Sequence, residues 1–337
     1  MGHPLLAAVS LTMVAGLMSG TCMLPMKFVR SWKWENLWLI FSVVSLVIIP
    51  WMLAIGLVDR LFETYHALSF RQLAIPMLFG AGWGVAQILF GISVKRLGLG
   101  IAYAIIVGLG AVLGTLVPLF AQQRATAKEH AVELIICGVA VMVIGISLTT
   151  WGGQIKERAT DVSHITSHRR SYPAAIFVAV LCGLMAPMLN YSFAFGQDIA
   201  QTAVRLGNQP VHSAYAVWPI GLAGGFLPNA AYSMWLLFKN RTWPLFRRAP
   251  PDLLWSFLMG ILWMGAFALY GMSASLLGAL GTSVGWGLLQ IFMIMTATLA
   301  GAMTGEWQQA SGPAKLLLGS GMASLTVAIV LLAIGSL

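Results

Sequence analysis

The stretch GAGWGVAQILFGISVKRLG at residues 80–98 recurs as GILWMGAFALYGMSASLLG at residues 260–278. Eight of the 19 aligned positions are identical, including the tryptophans Trp83 and Trp263, at a constant offset of 180 residues (260 − 80). Paired tryptophans and the shared G-x-S-x-x-x-L-G ending argue against chance similarity between two apolar, glycine-rich helices. The two stretches therefore predict an internal duplication of the chain.

Composition places this duplication in a membrane protein. Hydrophobic residues make up 59% of the 337 residues and charged residues only 9%, against about 25% charged in an ordinary soluble domain. The net charge of +9 does not indicate nucleic-acid binding, because the basic residues lie in short clusters between apolar runs. The three cysteines have no metal-ligand spacing, so neither a metal nor a cofactor is expected.

Apolar runs long enough to span a bilayer, about 20 residues each, occur ten times. Backbone hydrogen bonds must close within each span, which favours helices, and the runs lack the alternation of a membrane β-barrel. The first run has no basic leader, so it is interpreted as a retained helix. The predicted helices cover residues 4–26, 36–58, 70–94, 98–121, 130–151, 172–196, 211–238, 251–275, 279–303 and 312–335.

The repeat relates the third predicted helix to the eighth, so the repeating unit has five helices. A weaker echo joins Gly16-Leu17-Met18 to Gly183-Leu184-Met185. An odd number of spans inverts the second copy in the membrane, which is the architecture of alternating-access transporters. The prediction is an all-α integral membrane protein of two inverted five-helix repeats, 1–151 and 172–337, joined by a cytoplasmic linker at 152–171.

The loops differ in their positive charge. Fourteen of the 19 lysines and arginines fall in the odd-numbered loops. The positive-inside rule places those loops in the cytoplasm and both termini outside, in the periplasm. The opposite arrangement, with both termini inside, remains the alternative.

Several short stretches, among them Pro25-Met26-Lys27, Trp32-Lys33-Trp34-Glu35 and Gly305-Glu306-Trp307, carry a resemblance to a known family. They resemble the L-rhamnose–proton symporter family of the drug/metabolite transporter superfamily. The resemblance covers nearly the whole chain. It implies ten helices, inverted repeats, a multi-pass location in the bacterial inner membrane, and uptake of L-rhamnose or a related deoxysugar with protons as the co-transported ion. The matching residues are Pro25-Met26-Lys27, Trp32-Lys33-Trp34-Glu35, Ile49-Pro50-Trp51, Phe79-Gly80, Trp83-Gly84, Gly91, Leu97-Gly98 and Gly305-Glu306-Trp307.

One departure from the family pattern concerns proton coupling. Family members can place an acid and a histidine near the start of the ninth helix, whereas this chain reads GTSVGW at residues 281–286. A proton-coupled carrier usually keeps a titratable group within the membrane, and amides and hydroxyls do not change charge near neutral pH. We therefore expect any coupling here to be weak, absent, or carried by a residue outside this stretch.

Aromatic and amide side chains within the apolar runs are the candidates for sugar binding. A sugar needs an aromatic face for its C–H side and amides for its hydroxyls, and an unpaired amide in hydrocarbon costs several kcal/mol. The alternatives are helix–helix hydrogen bonds for the amides and interfacial anchoring for the tryptophans. The predicted substrate-binding residues are Trp83, Gln87, Tyr103, Asn190, Tyr191, Trp263, Tyr270, Trp286 and Gln290.

Charged residues near the span ends are candidates for gating or coupling. Lys27, Glu133 and Glu306 are singled out, with snorkelling anchors as the alternative interpretation. No enzyme signature such as H-E-x-x-H or a P-loop is present. Besides a sugar importer, by symport or uniport, two other functions stay open. One is a metabolite or drug exporter of the same superfamily, and the other is a membrane-embedded enzyme acting on lipid-linked sugar. The expected partners are a small-molecule sugar and the lipid bilayer, without nucleic acid.

Overall fold

The computed structural model describes residues 2–124, 127–160, 172–247 and 250–336. Helices contain 88% of these residues, and none of them is in a β-strand. Nine helical segments in this part of the chain are long and apolar enough to cross a membrane. The predicted all-α membrane protein is confirmed.

Fifteen α-helices follow one another along the described chain. In the first half they are α1 (Gly2–Thr21), α2 (Trp34–Val43), α3 (Ile49–Leu57), α4 (Leu61–His66), α5 (Phe70–Leu97), α6 (Leu99–Pro118) and α7 (Glu129–Thr160). In the second half they are α8 (Tyr172–Met185), α9 (Met188–Ala194), α10 (Gln197–Arg205), α11 (Pro210–Ser213), α12 (Val217–Asn240), α13 (Pro250–Leu276), α14 (Gly281–Met303) and α15 (Gly312–Gly335).

Each predicted span overlaps one or more of these helices, but some boundaries differ. α7 continues to Thr160, so the 152–171 segment begins as helix, and its residues 161–171 lie outside the described residues. The short helix α4 was not predicted. The sixth predicted span is divided into α8 and α9 by a turn at Ala186 and Pro187, because proline has no N–H to continue the helical hydrogen bonds.

Two other prolines, Pro50 and Pro118, lie next to π-helical turns, and the helical backbone continues there instead of ending. α2 continues into α3 through a π-helical turn at Val44–Ile48, just before Pro50, where the N–H of Ile49 donates to the carbonyl of Val44. α6 ends at Pro118 and is followed by a second π-helical turn, Leu119–Gln123. A proline deprives the carbonyl four residues earlier of its partner, and such turns commonly accommodate the mismatch.

The helix α12 packs against α5 at backbone distance. A Cβ atom at Gly80 would overlap the carbonyl oxygen of Gly221, and one at Gly84 would meet the carbonyl of Gly225. Both helices therefore present G-x-x-x-G pairs to each other, as in close-packed membrane helices. α12 has 24 residues but is not among the nine apolar segments, because its glycines, Pro228 and Asn229 lower its hydropathy.

Several backbone features recur at the offset of the sequence repeat. Gly98 lies just after α5 and Gly278 lies just after α13, and they have φ of +80° and +67°. Arg60 and Arg241 have φ of +56° and +55° at the ends of corresponding spans, 181 residues apart (241 − 60). For both glycines the left-handed conformation explains why glycine is used.

The contacts between helices also relate the two halves of the chain. α1 packs against α13 and α14, while α8 packs against α5 and α6, and α7 packs against α15. A Cβ at Gly80 would meet α12, whereas one at Gly260 would meet Val44 in the turn after α2. Replacing each span of one half by its counterpart in the other half reproduces these pairings.

Candidate functional site

A cavity of about 610 Å³ lies among α1, α5, α6, α7, α8, α13 and α14. Its size falls within the range of about 300–1,000 Å³ that is usual for small-molecule sites. The turn that divides α8 from α9 contributes Ala186 to its wall, and interrupted helices commonly form substrate sites in transporters. Six of the nine predicted substrate-binding residues line this cavity: Trp83, Gln87, Tyr103, Trp263, Trp286 and Gln290.

Aromatic rings form one wall of the cavity. Trp83 and Trp263, the tryptophans of the sequence repeat, stack with ring centroids 5.3 Å apart and an interplanar angle of 27°. Phe267 lies 4.4 Å from Trp263, centroid to centroid. Trp286 is fixed by a hydrogen bond from its Nε1 to the carbonyl of Gly110, 3.1 Å long. The wall is therefore an aromatic surface held in place by ring contacts and by one hydrogen bond to the backbone.

The amides of the cavity lack protein partners. Gln87 comes from α5 and Gln290 from α14, and neither side chain has a hydrogen-bond partner among the described residues. The hydroxyl of Tyr103 has none either. By contrast, Asn229 in α12 accepts a hydrogen bond from Trp38 and donates one to Gly225. Polar groups in an apolar cavity without protein partners are available to water or to a ligand.

Asn190, Tyr191 and Tyr270 do not line the cavity. Asn190 and Tyr270 are fully buried, and the Tyr270 hydroxyl donates to Oδ1 of Asn190. The Asn190 amide donates to the carbonyls of Gly114 and Thr282 at 2.8 and 2.9 Å. In this conformation every donor hydrogen of the Asn190 amide and the Tyr270 hydroxyl is already used within the protein. Their role in sugar binding stays a prediction, and the geometry favours a structural or gating role.

The partner of Asn190 is determined by a proline in another helix. The Gly114 carbonyl would normally accept from the N–H of residue 118, but residue 118 is proline. The Asn190 amide therefore satisfies a buried carbonyl that α6 cannot satisfy itself. Tyr191, next in sequence, donates to the neighbouring carbonyl of Leu113 at 3.0 Å.

A second space of about 990 Å³ opens on the other side of these hydrogen bonds. Asp198 and Arg205 from α10 and Gln122 from the turn after α6 contribute polar groups to it. Thr282 lines this vestibule, whereas Leu189 and Trp286 line the cavity. The closed layer, which we define as Gly114, Asn190, Tyr270 and Thr282, thus separates the cavity from the vestibule.

Charged groups surround the end of the cavity that is remote from the closed layer. Glu306, in the turn between α14 and α15, pairs with Lys27 at 3.1 Å and with Lys156 of α7 at 3.7 Å. Lys156 also lies 4.8 Å from the ring centroid of Trp307. The hydrogen bond from Lys27, assisted by both positive charges and opposed by partial burial, lowers the pKa of Glu306 below its usual value. We call this end the charged mouth.

The third gating candidate lies elsewhere. Glu133 in α7 is largely exposed, and its one ion-pair partner among the described residues is His130, at 3.8 Å. Phe90, Lys156 and Phe267 are among the cavity-lining residues that sequence reasoning missed. Phe267 could have been found, because it occupies the position 180 residues after Gln87.

Comparison with known proteins shows the family of the chain. The family model described as L-rhamnose-proton symport protein (RhaT) matches residues 5–336. The chain belongs to this family. It is similar to L-rhamnose-proton symporters of Klebsiella pneumoniae subsp. pneumoniae, Escherichia coli O1:K1 / APEC and Shigella boydii serotype 18, each 26% identical over 320 residues that cover 92% of both chains.

Membership of the RhaT family decides between the functional classes left open by the sequence. The chain is a multi-pass membrane transporter, not an enzyme, and the exporter interpretation is not favoured. The family resemblance based on the sequence motifs is confirmed. The cavity with stacked tryptophans and with amides that have no partner among the described residues therefore belongs to a transporter of the RhaT family.

Proposed function

We propose that this chain imports L-rhamnose or a related deoxysugar together with protons, by alternating access. The observation that carries the proposal is the meeting of two unpaired amides, Gln87 and Gln290, with the stacked rings of Trp83 and Trp263 in one cavity. The family and the names of its relatives support both the sugar and the proton.

The chemistry of a deoxysugar fits this cavity. Its ring hydroxyls need donors and acceptors, and each primary amide supplies both. Its C–H face and methyl group are apolar and gain from burial against aromatic rings. We propose that Gln87, Gln290 and Tyr103 contact the hydroxyls, while Trp83, Trp263 and Phe267 contact the apolar face.

Ten spans in two inverted repeats are the architecture we propose for this activity. It requires α12 as the tenth span, although α12 falls below the apolarity of the others. Support comes from its length, from its glycine contacts with α5, and from the exchange symmetry of the helix contacts. A structure in which α5 and α13 failed to superpose about an axis in the membrane plane would contradict it.

We propose that the charged mouth faces the cytoplasm and that both termini face the periplasm. The excess of lysine and arginine in the odd-numbered loops supports this orientation. A Lys239→Cys variant should then react with an impermeant thiol reagent only from the inside. An Arg205→Cys variant should react only from the outside, and the reverse pattern would exclude the orientation.

Proton coupling is assigned to Glu306. It is the one carboxylate among the described residues that line the cavity, and it lies outside the ninth-helix stretch that lacks an acid. Its lysine partners keep it ionised in this conformation, so proton uptake requires that the pairs separate in another state. Such a difference in pKa between two access states is what couples a proton to transport.

Ligand binding to purified protein tests the proposed substrate. Binding to the native state raises the apparent melting temperature by mass action, so L-rhamnose should raise it more than L-mannose, which carries a hydroxyl in place of the methyl hydrogen. Gln87→Ala and Gln290→Ala should each weaken L-rhamnose binding about fivefold, since a hydrogen bond contributes roughly 1 kcal/mol. Gln122→Ala, in the vestibule, is the control and should bind normally. Equal shifts with all sugars would contradict the proposal.

A further inference from the structure

The residues of the closed layer have counterparts in the other half of the chain. The offset of 180 relates Tyr270 to Phe90, Thr282 to Ala102, and Gly114 to Ile294. The offset of 167 between Gly16 and Gly183 (183 − 16) relates Asn190 to Met23. Two-state transporters with inverted repeats use equivalent positions at the two ends of the path.

These counterparts lie around the open cavity. Met23, Phe90 and Ile294 all line it, on the side of the charged mouth. Ala102 is buried next to Tyr103, which also lines it. The closed-layer positions are therefore joined by hydrogen bonds in one half, whereas three of their counterparts line the open cavity.

We infer that Met23, Phe90 and Ile294 form a second gate, which closes over the substrate when the closed layer opens. The inference rests on the proposed alternating access and adds the identity of the residues that close the cavity toward the charged mouth. In the present structure the closed layer is shut and the second gate is open. In the opposite conformation the closed layer is open and the second gate is shut.

The second gate differs from the closed layer in its chemistry. Methionine, phenylalanine and isoleucine carry no hydroxyl or amide, so the second gate closes by apolar contact alone. The closed layer instead forms three strong hydrogen bonds through Asn190 and Tyr270. The state with the closed layer shut is accordingly the resting state.

Accessibility of a single cysteine in the cavity tests this inference. Ala186→Cys would be placed in full-length protein whose three native cysteines are replaced, and labelled in proteoliposomes with an impermeant reagent from the vestibule side. Ala186 lines the cavity, so labelling from that side requires the closed layer to open. The labelling rate therefore reports the population of the opposite conformation.

Two substitutions should change this rate in opposite directions. Tyr270→Phe removes one hydrogen bond of the closed layer and should raise the rate about fivefold. Phe90→Ala removes packing from the shut second gate and should lower the rate about tenfold. The controls are Tyr65→Phe, which loses a hydroxyl bond to Ala216 outside the closed layer, and Phe177→Ala, at an exposed position. Both should leave the rate unchanged.

An unchanged or increased rate in Phe90→Ala would overturn the second gate. An unchanged rate in Tyr270→Phe would overturn the reciprocal relation between the two layers. L-rhamnose binding to the parent protein is measured separately by thermal shift. Its absence would count against the proposed substrate, whereas the labelling rates report on gating without any added sugar.

Discussion

The closed layer and the second gate occupy equivalent positions, yet their composition is opposite. Around Asn190 and Tyr270 every polar atom of the two side chains is hydrogen-bonded within a fully buried cluster. Around Met23 and Phe90 the side chains are apolar and face an open cavity. One end of the path is closed by directional bonds, and the other can close only by non-directional contact.

This difference determines how each end responds to perturbation. A buried hydrogen-bonded cluster loses stability sharply when one member is removed, because its partners are left unpaired. An apolar layer loses only contact area and adapts its shape more easily. Mutations of the closed layer should therefore lower the free energy of unfolding more than mutations of the second gate do.

The largest expected effect is that of Asn190→Ala. It leaves the Gly114 carbonyl without a donor and removes the Asn190 bond of the Thr282 carbonyl and of the Tyr270 hydroxyl, and each unsatisfied buried group costs roughly 1–3 kcal/mol. We expect the free energy of unfolding to fall by about 2–5 kcal/mol, seen as a lower melting temperature in detergent. Met23→Ala, at the counterpart position, should lower it by less than about 1 kcal/mol because Met23 is partly exposed.

Pro118 provides the control for this explanation. Pro118→Ala restores an N–H that can bond to the Gly114 carbonyl within α6. In the Pro118→Ala background, Asn190→Ala should therefore be less destabilising by about 1 kcal/mol. Identical losses in the two backgrounds would show that the orphaned carbonyl is not the reason for the cost.

The same cluster shows which features of the site could not be predicted from the sequence. The cavity wall was predictable, because Trp83 and Trp263 are marked by the repeat and Gln87 lies one helical turn from Trp83. Asn190 and Gln290 are both amides in apolar runs, and the sequence does not distinguish them. What distinguishes them is the carbonyl of Gly114, which meets Asn190 only after folding.

Glu306 sharpens the contrast between a charged mouth and a neutral closed layer. Glu306→Gln should bind L-rhamnose normally but lose proton-driven accumulation by about tenfold or more, because a glutamine does not take up a proton. Accumulation in proteoliposomes with an inward proton gradient measures this. Sugar exchange without a gradient should persist, and retention of full accumulation in the variant would assign the proton elsewhere.

The pH dependence of this site has a definite sign. Since Lys27 lowers the pKa of Glu306, the ion pair contributes to this conformation at pH values above the ordinary glutamate value of about 4.3 and is lost as the pH falls through the lowered pKa. Lys27→Gln should raise that pKa toward its ordinary value. The titration of Glu306, followed by infrared absorbance of its carboxyl group, would show the shift, with Glu306→Gln as the blank.

The smallest expected effect comes from giving the second gate the residues of the closed layer. Phe90→Tyr alone adds a hydroxyl whose counterpart partner would be Met23, which accepts hydrogen bonds only weakly, so the change should be within about 0.5 kcal/mol. Met23→Asn together with Phe90→Tyr recreates the amide–hydroxyl pair and should favour the opposite conformation by about 1 kcal/mol, or fivefold.

The gain stays small because the new amide finds no unpaired carbonyl at Ile294. The residue four positions after Ile294 is Thr298, whose N–H can donate to that carbonyl within the helix. The counterpart of Thr298 is Pro118, which has no N–H to donate to Gly114. Vestibule-side labelling of Ala186→Cys measures the shift. A double variant that labels no faster than either single variant would mean that the two ends are not interchangeable, and that the polar character of the closed layer depends on the proline rather than on the pair.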